Sequence, residues 1–228
     1  MGELPIIFPI NRLIAMGIPH YVAFSWVAIA FIIILSLIVK RSMSLVPSGA
    51  QNVVEVIVEY VLNLAESSIG HMGRFFLPLL GTLFIYILVC NFMGLIPGFE
   101  APTGNLNTTL SLAIPVFLAT HYYGIKIHKL SYFKHFVGPI RSIMALPLMI
   151  LMFFIELVGH LARPLTLSVR LFGNMMAKHM LILILLGLTP WLVPIPILVL
   201  GVLVSVVQAL VFTLLTALYL AGAVEEAH

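Results

Sequence analysis

The sequence predicts an all-α, polytopic membrane protein. Hydrophobic residues make up 62% of the chain and charged residues only 8%, where soluble domains carry about 25% charge. A water-soluble fold with so few ionised groups could not cover its surface. The apolar residues also fall in runs of about 20 or more, the length at which a helix crosses the hydrocarbon of a bilayer. About five crossings and one amphipathic surface helix account for the chain, which reads as a single membrane domain over residues 1–228.

The first crossing is expected over 21–41, an apolar run closed by Lys40 and Arg41. Residues 48–68 follow, with Glu55, Glu59 and Glu66 near one helical face and Val, Ile and Leu on the other. Such a helix suits a membrane surface or a packing partner better than a crossing. The second crossing is expected over 76–97 and the third over 108–126, joined by the turn-rich loop PGFEAPTGNLNTT. Two long apolar stretches remain, 142–187 and 191–221, separated by GLTPWLVPIP. The first is too long for one perpendicular span, so it must break or tilt strongly, with Pro147 and Pro164 as places to bend.

Orientation follows from lysine and arginine in short loops, which mark the cytoplasmic side. Lys40, Arg41 and Arg74 follow the first crossing, and Lys126, Lys129, Lys134 and Arg141 follow the third, whereas the loop between the second and third carries only Glu100. This pattern sets the N-terminus outside and the C-terminal EEAH inside. The opening MGELPIIFPI has no basic start, no cleavage site and no Ser or Thr at its sixth position, so neither a cleaved signal peptide nor a myristoyl anchor is expected.

Intramembrane charge is expensive, about 2.5–3.5 kcal/mol per group on insertion scales, yet here it clusters. Glu156, His160, Arg163, Arg170, Asn174 and Lys178 fall near one face of a helix, with Leu167 filling the gap and His179 stepping aside. This seam must look at protein or water. Arg170 cannot lose its proton, and the nearest acid on the stripe, Glu156, is about 21 Å away along a helix. Its counter-ion is therefore expected on another subunit or on the transported species. Glu156 and His160 could satisfy each other as an i,i+4 pair, or could pass protons, since histidine titrates near neutrality. Arg163 is expected to snorkel and Lys178 to reach for the interface, while His179 is a candidate inlet group. On the last helix Ser205, Gln208 and Thr213 are the main hydrogen-bonding side chains, and Gln208, near mid-span, could face Arg170. Asn91, Asn105, Asn107, Thr108 and Thr109 flank the outer loop, as inlet groups or as helix caps.

Other classes lack their signatures. No basic tract with interleaved aromatics suggests a nucleic-acid partner. Cys90 stands alone in an apolar run, with no metal-type spacing, and no G-x-x-x-x-G-K-[ST] loop is present, so neither metal nor cofactor is expected. A secondary ion antiporter would also need intramembrane charge, but it usually carries paired carboxylates and an internal repeat; this chain has no Asp and no repeat. An intramembrane metalloprotease would need H-E-x-x-H, where this chain reads VGHLAR. A structural assembly subunit without a channel remains open on pattern alone.

SVRLFGNMMAKH, with Gln208 on the last helix and a short acidic C-terminus, resembles subunit a of the bacterial F-type ATP synthases. The likeness extends over most of the chain, through NFMGLIPG, APTGNLNTTLSLA and FIELVGHLARPLTLSVRLFGN in that order. The resemblance implies a non-catalytic, proton-translocating subunit in a bacterial inner membrane, its N-terminus periplasmic and its C-terminus cytoplasmic. Its partners would be the c-subunit ring, the b-subunit stator stalk and the rest of the ATP synthase. The two long final helices would lie tilted against the ring. It also implies roles: Arg170 between two offset aqueous half-channels, Asn174 its neighbour, Gln208 the glutamine of the last helix, Glu156 the exit acid and His179 an inlet group. The sequence departs from the pattern at Gly94, where relatives often carry an acid, and at Gly201, where they often carry His or Glu. Those departures shift the inlet toward water, Glu100 and His179.

Overall fold

In a computed structural model, which describes residues 16–44, 47, 49–96, 99–129, 146–188 and 194–224, six α-helices make up the fold and no strand is present among the described residues. They are α1 (His20–Arg41), α2 (Ala50–Ile69), α3 (Gly73–Met93), α4 (Leu106–His128), α5 (Leu146–Leu188) and α6 (Pro194–Val224). Short 3-10 turns at Gly70–Met72 and Pro102–Gly104 join α2 to α3 and lead into α4. The opening MGELPIIFPI, Lys134, Arg141, Trp191 and the tail from Glu225 lie outside the described residues.

Five helical stretches are long and apolar enough to cross a membrane: His20–Arg41, Ala50–Met93, Leu106–His128, Met149–Ile182 and Pro196–Val224. The protein is thus an all-α polytopic membrane protein. Trp26, Phe31, Ile34 and Leu37 of α1 are all more than half exposed, a composition that suits lipid and not water. α1 starts directly after Pro19 and ends with Lys40 and Arg41 in its last turn, where cations complement the helix dipole.

α2 folds back on α3 as an antiparallel hairpin. Gly70, with φ of 71°, takes the left-handed conformation that ends α2. Gly73 then lies so close that a Cβ there would come within 2.7 Å of the Ala65 backbone. The apolar face of α2 thereby finds its partner in the same chain, with Val61 and Ala65 in one buried cluster with Phe76 and Leu80, while Glu55, Glu59 and Glu66 remain exposed. Arg74 pairs with Glu66 at 3.0 Å on the surface. α3 ends at Met93, where Gly94 and the following turn break the ladder.

α5 is the dominant element. Its 43 residues form one helix, about 64 Å long against a hydrocarbon core of about 30 Å. Of the two expectations for this stretch, a break is not seen: Pro147 falls in the first turn, where its missing N–H costs nothing, and the helix continues through Pro164. The hydroxyls of Thr166 and Ser168 donate to the carbonyls of Arg163 and Leu165, at 3.0 Å each, just beyond that proline. At that length a perpendicular α5 would reach beyond the hydrocarbon. α5 packs on α4 and α6, and α3 packs on α6; Leu167, Leu171 and Met175 of α5 join Ile87, Val116 and Phe212 in the core.

Candidate functional site: a divided polar seam on α5

At about 100° per residue the polar seam of α5 spans about 80° of arc, and the fold cuts through that arc. One edge, carrying His160, Leu167 and Lys178, turns inward. Leu167 is 2% exposed and Lys178 is 8% exposed. The other edge carries Arg170, which is exposed, as is Asn174 one turn later. The seam is therefore not one environment, because an arc this wide straddles the boundary of the packed face. Among the described residues Arg170 forms no hydrogen bond or ion pair. Leu171 beside it is fully buried, so the helix is firmly seated where the guanidinium points away.

Asn174, not Arg170, faces Gln208. Its Nδ2 donates to Gln208 Oε1 at 2.7 Å, which corrects the pairing of Arg170 with Gln208. The two residues on α5 stand a turn apart, and only Asn174 lies at the α6 seam. Gln208 itself is 4% exposed. A groove of about 440 Å³ between α5 and α6 begins at this pair and runs past Ala177, Lys178 and Gly201.

Lys178 does not reach for an interface. Its Nζ donates to the backbone oxygen of Asn91 at 3.2 Å and to Ser205 Oγ at 3.0 Å. Asn91 is fully buried, donates to the Ser205 carbonyl at 3.3 Å and accepts from Thr103 Oγ1 at 2.7 Å. Asn91, expected near an inlet, is thus a cross-link of α3, α6 and the loop before α4. The inward turn of Lys178 is possible because Gly201 has no side chain: a Cβ there would stand 3.4 Å from Lys178 Cδ and 2.7 Å from Leu95 Cδ2. Gly94 is equally closed, since a Cβ would meet Ala101 Cβ at 2.6 Å. At both glycines the space a side chain would need is therefore taken by neighbours.

Glu100, Asn105 and His179, scattered in sequence, line one cavity of about 470 Å³ together with His20 and Tyr21. Asn105 serves the fold as well, for its side chain accepts the N–H of Asn107 at 2.9 Å and caps α4. The cap reading therefore holds for Asn105 alongside its place on the cavity. Asn107 Nδ2 reaches Tyr21 Oη at 3.2 Å and ties α4 to the start of α1. His20 gave no sign in sequence, since it sits just ahead of an apolar run.

Toward the other end of α5, His160 Nε2 lies 3.2 Å from Glu156 Oε1. The expected i,i+4 pair is formed. Arg163 does not snorkel; its guanidinium stacks 5.5 Å over the Tyr219 ring of α6, a favourable cation–π placement. The imidazole of His121, on α4, stands 5.1 Å from that of His160. Sequence reading passed over His121 because a lone histidine in a crossing has no periodic signature. The described residues contain no cluster of three His, Cys, Asp or Glu able to hold a metal ion.

Along α5, His179, Arg170 and the Glu156–His160 pair therefore mark three successive levels. The cavity group lies about 14 Å from Arg170 on one side and Glu156 about 21 Å on the other. Among the described residues, polar groups thus approach the exposed cation from both ends without a continuous polar chain between them.

The chain is also similar in sequence to known proteins. The family model described as "ATP synthase A chain" matches residues 22–221. The "ATP synthase subunit a" of Trichlorobacter lovleyi is 50% identical over 207 residues, 91% of this chain and 88% of that protein. The subunit of the same name from Geobacter sulfurreducens is 47% identical over the same shares. That from Geotalea daltonii is 45% identical over 215 residues, 94% of this chain and 92% of its own length.

Proposed function

The chain belongs to the ATP synthase A chain family, and on that premise we propose that Arg170 is the stator cation past which the carboxylates of a c-subunit ring turn. As a family member the chain is the proton-translocating, multi-pass membrane subunit of ATP synthase. It makes no ATP itself. The b-subunit stalk holds it still while the ring moves, with its N-terminus periplasmic and its C-terminus cytoplasmic.

The observation that carries the proposal is a permanent cation, exposed on a packed helix, with no acid of its own chain among the described residues within ion-pair distance. A ring carboxylate arriving from lipid is neutral. At 4 Å from Arg170, with an effective dielectric near 20, its ionised form gains on the order of 4 kcal/mol, roughly a thousandfold at 1.4 kcal/mol per decade. The carboxyl gives up its proton toward the Glu156–His160 level. After it has moved past Arg170, it reloads from the side of the His179, Glu100 and Asn105 cavity. Asn174 and Gln208, bonded to each other, hold the α5–α6 seam beside the cation.

Arg170 also separates the two levels. A guanidinium neither accepts nor donates a proton here, and it repels hydronium, so the two half-channels stay disjoint. Each proton that crosses supplies about 2.3 kcal/mol per 100 mV, and rotation follows because the two paths are offset. Protons, not a resident cofactor, are the working ligand.

The test is Arg170→Ala in membrane vesicles. Proton-driven ATP synthesis falls to background while the ring still copurifies with the chain. Near-normal coupled synthesis by that variant refutes the role.

A further inference from the structure

We infer that His121 of α4 is a proton-transfer station on the cytoplasmic path, next in line after Glu156 and His160, so that this path leaves α5 and crosses to α4. The inference rests on the proposed direction of proton flow and adds a residue that neither the stripe on α5 nor the family motif contains.

Three observations carry it. His160 stands between two partners: Glu156 Oε1 lies 3.2 Å from its Nε2, and the His121 ring meets its ring edge-on, with centroids 5.1 Å apart. Second, both imidazoles line a cavity of about 10 Å³ with Thr120, Arg163 and Tyr219, the scale of a seat for one water. Third, His121 Nδ1 lies 2.9 Å from the Phe117 carbonyl. A carbonyl oxygen can only accept, so Nδ1 carries a hydrogen and Nε2 is the nitrogen that gains and loses a proton.

The step balances without a redox partner. Imidazolium His160 gives one ring proton to a water in the cavity as that water gives one to Nε2 of His121. His160 returns to neutral, His121 becomes the cation, and one positive charge has moved from α5 to α4. His121 is about 10 Å along α4 from His128 at the helix end, the end that also carries Lys126. Arg163 of α5 and Tyr219 of α6 line the same cavity as His121. His160 meets its ring, with Glu156 bonded behind it, and Tyr122, Tyr123 and Lys126 follow within about a turn and a half on its own helix. The Arg163 guanidinium is held over Tyr219 at 5.5 Å and cannot relay a proton, which leaves the two imidazoles as carriers.

The test measures proton flux under a potassium diffusion potential in liposomes holding the chain with its ring and stalk, normalised to copurified ring. His121→Asn keeps a donor near Nδ1 for the Phe117 carbonyl and removes the nitrogen that titrates. We expect its flux to fall at least about tenfold, short of the roughly hundredfold or more that a positioned proton-transfer group typically supplies. A His121→Asn, His160→Gln double variant should be no slower than the slower single one. Parent-like flux in His121→Asn means His121 only shapes the helix and overturns the relay, as do losses that multiply in the double variant. Failure of both His121→Asn and His121→Gln to retain the ring likewise marks a packing residue. Arg170→Ala in the same liposomes keeps the two ideas apart: if Arg170 is needed for coupling while His121→Asn conducts normally, only the relay falls.

Discussion

Gln208→Leu measures how the work is divided between Arg170 and its neighbours. Gln208 is buried, and its Oε1 accepts from Asn174 Nδ2 at 2.7 Å. Leucine keeps most of the volume and removes the acceptor, so packing changes little and one interhelical hydrogen bond is lost. Such bonds contribute about 0.6–2 kcal/mol within membranes, or roughly threefold to thirtyfold in any step they assist. Loss of Arg170 removes on the order of 4 kcal/mol from the ionised ring carboxylate and also opens the barrier between the two levels. We therefore expect Gln208→Leu to keep measurable proton-driven ATP synthesis in vesicles, reduced by about thirtyfold or less. Arg170→Ala should show none. Asn174→Leu, which breaks the same bond from the other side, should match Gln208→Leu within a few-fold. If Gln208→Leu were as dead as Arg170→Ala with the complex intact, Gln208 would act on the reacting carboxylate itself, and its assignment to the helix seam would be wrong.

Two further outcomes follow from the packing around the glycines. Lys178→Met exchanges a buried ammonium and its two hydrogen bonds for a chain of similar volume. Two charge-assisted bonds at about 1.5–3 kcal/mol each oppose a desolvation cost of several kcal/mol, so thermal unfolding of the detergent-solubilised complex should shift little. Lys178→Ala, which empties the space beside Gly201, should cost about 2–5 kcal/mol; equal melting temperatures for the two variants would contradict the buried placement. Gly94→Ala forces a Cβ to within 2.6 Å of Ala101 Cβ and should cost about 1–3 kcal/mol, recovered by Ala101→Gly. A Gly94→Ala protein that melts like the parent would show that the turn has room.

Sequence alone determined the elements and the anomaly. Runs of apolar residues specify membrane helices because backbone groups in lipid must bond within their own segment. The 43 residues of α5 exceed one perpendicular span, and the tertiary structure decided that they form one helix, with the ladder continuing through Pro164. That Glu156 cannot reach Arg170 could be read by counting, since no folding brings it closer along the same helix. The polar seam was legible as a seam. Its division into an inward and an outward edge was not, because that depends on how far α5 rotates about its own axis. The side chains of α3, α4 and α6 set that rotation. The same rotation and register sent Lys178 inward over Gly201, matched Gln208 to Asn174 instead of Arg170, and brought His121 against His160. A one-dimensional pattern records which face of a helix is polar. Only the packed neighbours decide what that face meets.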